Sequence, residues 1–303
     1  MNGIIKYMQK VLLYYKFVPV VDSKAVQLWQ QTLCEMLNLK GRIIIADHGL
    51  NGTVGGDIVD LKRYIRNTRS HQAFKDMTFK WSDGAREDFP KLSVRVRPEI
   101  VTFGVPDKIK VNGTGIVGGG KRLKPEELHE LIKKQGKNSV VFFDGRNARE
   151  AAIGRFQGAV ITDAEHTRDF PREIKKSKYA RIKNKTVVTY CTGGIRCEVL
   201  SMLMKQEGFR DVYQLDGGII KYGEVYGNEG LWQGNLYVFD KRVSLPIGKT
   251  APAIGTCSYC QAPANTYGDC MNSDCNRLFI ACQVCADRDY CPDCRDITAV
   301  HTS

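Results

Sequence analysis

Cys191-Thr192-Gly193-Gly194-Ile195-Arg196 places a thiol, two glycines and a cation within six consecutive residues. The β-branched and aromatic stretch Thr186–Tyr190 before it reads as a buried strand. Val199, Leu200, Leu203 and Met204 behind it recur at helical spacing until Gly208. A cysteine between such a strand and helix sits where backbone N–H groups and the helix dipole converge on an anion. That anion can be the thiolate itself, which lowers the Cys191 pKa and makes its sulfur nucleophilic at neutral pH. Arg196 adds a cation at the same mouth. Cys197, one residue on, could capture an oxidised or persulfidated Cys191, or be buried in the first helical turn. The plain alternative for Cys191 is a structural core cysteine.

A second cysteine pattern closes the chain. Cys257, Cys260, Cys270, Cys275, Cys282, Cys285, Cys291 and Cys294 form four pairs, three spaced C-x2-C and one C-x4-C. A C-x2-C turn directs two thiolates at one ion, and eight thiolates suit two structural zinc ions. Few aliphatic residues accompany them, so metal would substitute for a missing core. Five residues between the last two pairs are tight for one shared site. An interleaved arrangement, Cys257 and Cys260 with Cys282 and Cys285, and Cys270 and Cys275 with Cys291 and Cys294, closes more easily. Cys34 reads as a helix core residue.

Charge narrows the partners. The chain carries a net charge of +12 over 303 residues, unevenly distributed. Residues 1–105 hold 16 basic and 10 acidic groups, residues 106–247 hold 25 and 17, and residues 248–303 hold 4 and 6. The surplus favours a polyanionic partner of the first two segments. Eleven cysteines and no evident export signal argue for metal or redox use in a reducing cytoplasm rather than a disulfide scaffold. No run approaches the length of a membrane span.

These residues need a scaffold. Val11–Pro19, Arg42–Ala46, Thr78–Trp81 and Leu92–Val96 read as strands, and Ser23–Leu39 and Ile58–Arg66 as helices. The order predicts a ferredoxin-like α+β sandwich over 1–105. Within it, Asn51-Gly52 is expected to make a hairpin turn in the glycine-rich Gly49–Gly56. Arg95 and Arg97 share one strand face, either solvated or binding phosphate. Glycine-dense Gly113–Gly120 marks a linker over 106–123. From 124 to 247, a helix opened by Pro125 and two acids, the apolar strand Ser139–Asp144, the Cys191 strand and Asp211–Leu215 predict a parallel α/β sheet with its site at the strand carboxyl ends. Asp144 and Arg146 are either an ion pair bracing the Cys191 loop or direct ligand contacts. Lys175, Lys176, Lys178 and Arg181 belong to a basic run before the Cys191 strand, a solvated surface or an RNA backbone contact. Residues 248–303 form the cysteine-rich tail.

The motif C-T-G-G-I-R before a helix resembles the active-site loop of rhodanese domains, which carry sulfur as a cysteine persulfide. Cysteine phosphatases are similar but use five intervening residues where this loop has four. Asp144-Gly145-Arg146 with Glu150, then Gly154, Gly158 and Ala159, resembles another rhodanese segment, and Leu215-Asp216-Gly217-Gly218 its closing motif. YYKFVP, RIIIA, GLNGTVGG and Lys91–Gly104 extend the likeness to the bacterial tRNA uridine-34 hydroxylase family, as do Phe239, Asp240 and Arg242 of Trp232–Val243. His48 stands where that family usually has an acid, and Arg149 where it commonly has an aromatic residue. The resemblance implies hydroxylation of the wobble uridine at carbon 5 with dioxygen and a reductant, tRNA recognised through its anticodon stem-loop, and an electron donor it does not identify. Two other readings stand beside it: a sulfurtransferase passing persulfide sulfur from Cys191, and a non-enzymatic RNA-binding adaptor.

Overall fold

The computed structural model describes residues 8–136, 138–239, 242–248 and 251–295, so Asp240 lies outside the described residues. The chain divides into two compact units. One comprises the chain up to Gly120 with Thr167–Pro171 and Glu198–Gln206, and the other Lys121–His166, Arg172–Cys197 and the chain from Glu207 onward.

In the first unit, β1 (Gln9–Phe17), α1 (Ser23–Met36), β2 (Lys40–Ala46), β3 (Gly49–Asp57), α2 (Ile58–Ser70), β4 (Phe79–Ser82) and β5 (Leu92–Val96) follow in order. The sheet order is β4-β1-β3-β2-β5, with β5 parallel to β2 and the other pairs antiparallel. The expected ferredoxin-like core is present, with β5 added at its edge. Asp22 caps α1 by accepting the Ala25 N–H at 2.8 Å. Leu12, Ile43, Ile45, Leu50, Val54 and Leu61 fill the core with Cys34. Burial pushes the Cys34 thiol up to about 12, so it is inert packing.

The hairpin turn expected at Asn51-Gly52 lies elsewhere. Ala46 pairs with Gly49, so Asp47-His48 is the turn, and Asn51 and Gly52 run within the central strand β3. Gly52 is there because a Cβ would stand 2.3 Å from the Tyr14 ring. Asn51 donates its amide to the Ile100 carbonyl at 2.9 Å instead of turning the chain.

The second unit holds the parallel sheet. Strands β6 (Lys121–Leu123), β7 (Val140–Asp144), β8 (Thr186–Tyr190) and β9 (Asp211–Leu215) order as β6-β9-β8-β7, all parallel. The supposed linker 106–123 is therefore partly structured. It holds a small hairpin, Val111–Asn112 with Gly115–Ile116, and its last three residues are strand β6. Helices α3 (Pro125–Gln135), α4 (Ala148–Ile153), α5 (Ile195–Gln206) and α6 (Gly218–Tyr226) follow the strands. Every residue of β8 is buried, as a continuous apolar strand covered on both faces requires. The tail is irregular, with Thr266–Asp269 paired to Leu278–Ala281 as its longest ladder. Among the described residues, no helix is long and apolar enough to cross a membrane.

Candidate active site and metal centres

Strand β8 ends at Tyr190, and the chain turns through Cys191–Gly194 into α5. Cys191, Gly194, Arg196 and Cys197 are buried, whereas Thr192, Gly193 and Ile195 are partly exposed. The Gly194 N–H donates to the Cys191 sulfur at 3.2 Å. Gly194 does so at φ 99°, a conformation that favours glycine. Burial alone would push the Cys191 thiol up. The neighbouring Cys197 thiol, the Arg196 charge and the backbone N–H groups of the loop overcome it and bring the pKa down to about 5. Cys197 moves the opposite way, because burial and the adjacent thiolate both favour its protonated form. One sulfur is thus the anion and the other its proton-bearing neighbour.

The loop is braced from two sides. At its carbonyls, the Ile219 and Ile220 N–H groups of α6 donate to Cys191 and Thr192 at 3.0 and 3.1 Å. Gly218 makes this approach possible. Its φ is +66°, and a Cβ there would lie 2.4 Å from the Cys191 carbonyl oxygen. The Gly217-Gly218 pair was legible only as a closing motif, and its role as the loop's backstop comes from the fold. At its cation, Arg196 donates to both oxygens of Glu150, at 2.5 and 2.8 Å, and to the Thr192 hydroxyl at 3.3 Å. Glu150 is wholly buried. Burial would raise its carboxyl pKa, but the Arg196 charge and bidentate bonds hold it below the usual range. Arg196 is thereby oriented at the loop rather than extended into solvent.

A second buried pair lies behind the first. Arg146 donates to Asp144 through Nε at 2.9 Å and through Nη2 at 2.6 Å, and also to the Gly154 carbonyl at 2.6 Å. Its guanidinium stacks 5.6 Å from the Tyr190 ring and 5.0 Å from that of Trp232. The Tyr190 hydroxyl donates to Asp144 at 2.7 Å. Both charges are fully buried and paired with each other. Tyr190 and Trp232 escaped the sequence reading because an aromatic residue in an apolar run carries no sign of the cation it will cover.

The basic residues are less uniform than their sequence suggests. Arg95, Arg97 and Arg181 are exposed. Lys176 contacts Glu173 at 2.5 Å, Lys178 contacts Asp163 at 2.5 Å, and Lys175 contacts Glu207 at 3.5 Å. Part of the lysine charge is therefore locally balanced. His48 is buried in the β2–β3 turn, where its Nε2 accepts the Ile100 N–H at 3.3 Å and its ring stacks on Phe17. Burial lowers its pKa, which favours the neutral ring that accepts this bond.

In the tail the eight sulfurs gather as two sets, Cys257, Cys260, Cys282 and Cys285, and Cys270, Cys275, Cys291 and Cys294. Within each set all sulfurs lie within 4.8 Å of one another. This is the interleaved pairing that the spacing favours. Four thiolates about 2.3 Å from a tetrahedral zinc stand about 3.8 Å apart. The separations of 3.6 Å for Cys260–Cys282 and 3.9 Å for Cys275–Cys291 fit that edge. Five of the eight cysteines are also the buried centre of the tail, alongside Phe279 and two alanines. The donor set and its spacing suit a four-thiolate structural ion.

Three family models cover the chain in the same sequence: a UPF0176 acylphosphatase-like domain at residues 9–100, a rhodanese-like domain at 125–224 and a rhodanase C-terminal segment at 233–296. A tRNA uridine(34) hydroxylase of Corynebacterium efficiens is 56% identical over 96% of this chain and 95% of its own length. Its namesake in Corynebacterium kroppenstedtii is 53% identical over 95% and 98%, and one in Corynebacterium glutamicum 57% over 91% and 88%. Likeness at that level from end to end, across all three segments, means that this chain belongs to the tRNA uridine(34) hydroxylase family.

Proposed function

We propose that this chain hydroxylates uridine 34, the wobble base of tRNA, at carbon 5, with dioxygen as oxidant and a separate reductant, and that Cys191 is its active-site residue. The observation that carries the reading is identity of 53–57% over at least 91% of the chain to proteins bearing the hydroxylase name. The chemistry of the loop supports it. A thiolate with a pKa near 5 is charged and nucleophilic throughout the neutral range, and the four-residue spacing leaves room for one further sulfur. The partly exposed Thr192, Gly193 and Ile195 are the face through which a base reaches Cys191. A base stacked in a helix cannot enter such a strand-end loop, whereas an unstacked anticodon-loop base can be splayed into it.

The remaining residues serve this centre. Glu150 orients Arg196, which holds the thiolate. Asp144 and Arg146 fix the end of β7 beside it. Cys197 keeps its proton and donates toward the Cys191 sulfur. Arg95 and Arg97 on one unit, and Arg181 with Lys175, Lys176 and Lys178 on the other, contact RNA phosphates. The two cysteine sets each hold one zinc ion, which supplies folding energy to the tail.

Mass spectrometry of tRNA nucleosides from a strain lacking the gene tests the reading. Expected is loss of 5-hydroxyuridine derivatives, restored by the wild-type gene and not by Cys191→Ser. Restoration by the serine variant removes Cys191 from the centre. Loss of a thiolated nucleoside instead makes the protein a sulfurtransferase.

A further inference from the structure

The cysteine-rich tail is acidic as a whole, with 4 basic and 6 acidic residues from 248 to 303. Its positive charge is nevertheless concentrated. Arg277 pairs with Asp293. Arg288 and Arg295, both exposed, stack on one ring, with their guanidinium carbons 4.5 and 5.6 Å from the centroid of Tyr259. They therefore lie no more than about 10 Å apart. The Tyr259 hydroxyl is held by the Tyr290 carbonyl, which locks the ring that carries them. Both arginines, Tyr259 and Ser258 line a cavity of about 220 Å³ beside the sulfurs of Cys260 and Cys285. Among the described residues, no carboxylate is ion-paired with Arg288.

Two guanidiniums carried by one ring put their positive potential at the mouth of one cavity. A guanidinium presents its donors as a planar fork that matches two oxygens of a phosphate, and a stacked guanidinium is already oriented to do so. The cavity has room for a phosphodiester group, with the Ser258 hydroxyl as a further donor. The Tyr259 ring is already engaged by two guanidiniums and by Phe279, so the site is read as one for backbone rather than sequence.

We propose that Arg288 and Arg295, on Tyr259, form an RNA-phosphate site on the zinc-binding tail, a third contact region for tRNA beyond the basic residues of the first two segments. The site rests on the hydroxylase reading for the identity of its RNA. Its rival is local: a four-thiolate zinc centre carries a formal charge of about −2, which nearby arginines would offset without touching RNA.

Two measurements on the full-length zinc-loaded protein separate these. Phenylglyoxal labelling, read by peptide mass spectrometry, should show Arg288 and Arg295 protected by bound tRNA in the wild-type protein. Arg288→Ala with Arg295→Ala should weaken tRNA binding about ten-fold or more at 0.1 M salt and reduce the slope of log affinity against log salt by about 0.7–0.9, the share of one phosphate. Lysine at both positions should restore most of the slope. Equal labelling with and without tRNA, or an unchanged salt slope in a double variant that retains its zinc, overturns the site. Loss of zinc from the alanine variant together with unprotected arginines assigns the pair to the metal centre and also overturns it. Failure of the wild-type protein to bind tRNA at all would instead strike the hydroxylase reading.

Discussion

Glu150→Gln is the sharpest test of how the centre is built. The carboxylate is fully buried and accepts two bonds from a guanidinium whose side chain is 9% exposed. Glutamine keeps the shape, but its one oxygen can accept only one of the two bonds and it carries no charge. The Arg196 cation is then left buried without its counter-ion, and breaking such a pair from one side costs about 3–5 kcal/mol. A whole domain has only about 5–15 kcal/mol to lose, so the variant should unfold at visibly lower urea. The pH dependence carries a sign. The folded Glu150 carboxyl titrates below its unfolded value, so its contribution is present above about pH 4.3 and is lost as pH falls through the folded value. The gap between wild type and variant should therefore close in acid. Adding Arg196→Met should recover much of the loss at neutral pH, since no charge is then orphaned, without recovering activity. Urea unfolding followed by circular dichroism measures all three. A cost below about 1 kcal/mol, or no recovery in the double variant, would show that the pair is not the buried brace described here.

Iodoacetamide capture of Cys191, followed by peptide mass spectrometry, should rise with pH through a midpoint near 5 and stay level above 7. A midpoint near the unperturbed value of about 8.5 would dismiss the anion nest. Purified from metal-replete cells, the protein should contain two zinc ions per chain by elemental analysis, and a chelator should raise hydrogen exchange in 255–295 before the rest of the chain. Zinc-free protein with protected amides in that segment would contradict it. Arg95→Ala with Arg97→Ala should weaken tRNA binding and flatten its salt dependence more than Lys176→Ala with Lys178→Ala, because those lysines already face Glu173 and Asp163. The reverse order, or no change with either, would make the arginine face a merely solvated one.

How much of this was readable beforehand depends on how local each cause is. The strand, loop and helix around Cys191 were legible because each rests on neighbours within about one turn: β-branched residues, then glycines, then helical spacing. The cysteine pairs were legible for the same reason, and the short separation of the last two pairs favours their interleaving, which the folded tail decides. The sequence also determined, through this order of segments, which family the chain belongs to. Where a signal was local but ambiguous, tertiary contact overruled it. Asn51-Gly52 has the residues of a hairpin turn, yet Tyr14 from another strand occupies the space where a side chain would stand. Glycine-rich 106–123 looked like a linker, but Lys121–Leu123 found a partner in β9, some ninety residues away. Only the folded structure joined Glu150 to Arg196, set Tyr190 and Trp232 against Arg146, brought Gly218 under the Cys191 loop, and stacked Arg288 and Arg295 on one ring. Residue type records that a glutamate can pair or a glycine can approach closely. Which group it meets depends on how distant segments pack, and no local pattern in the chain carries that information.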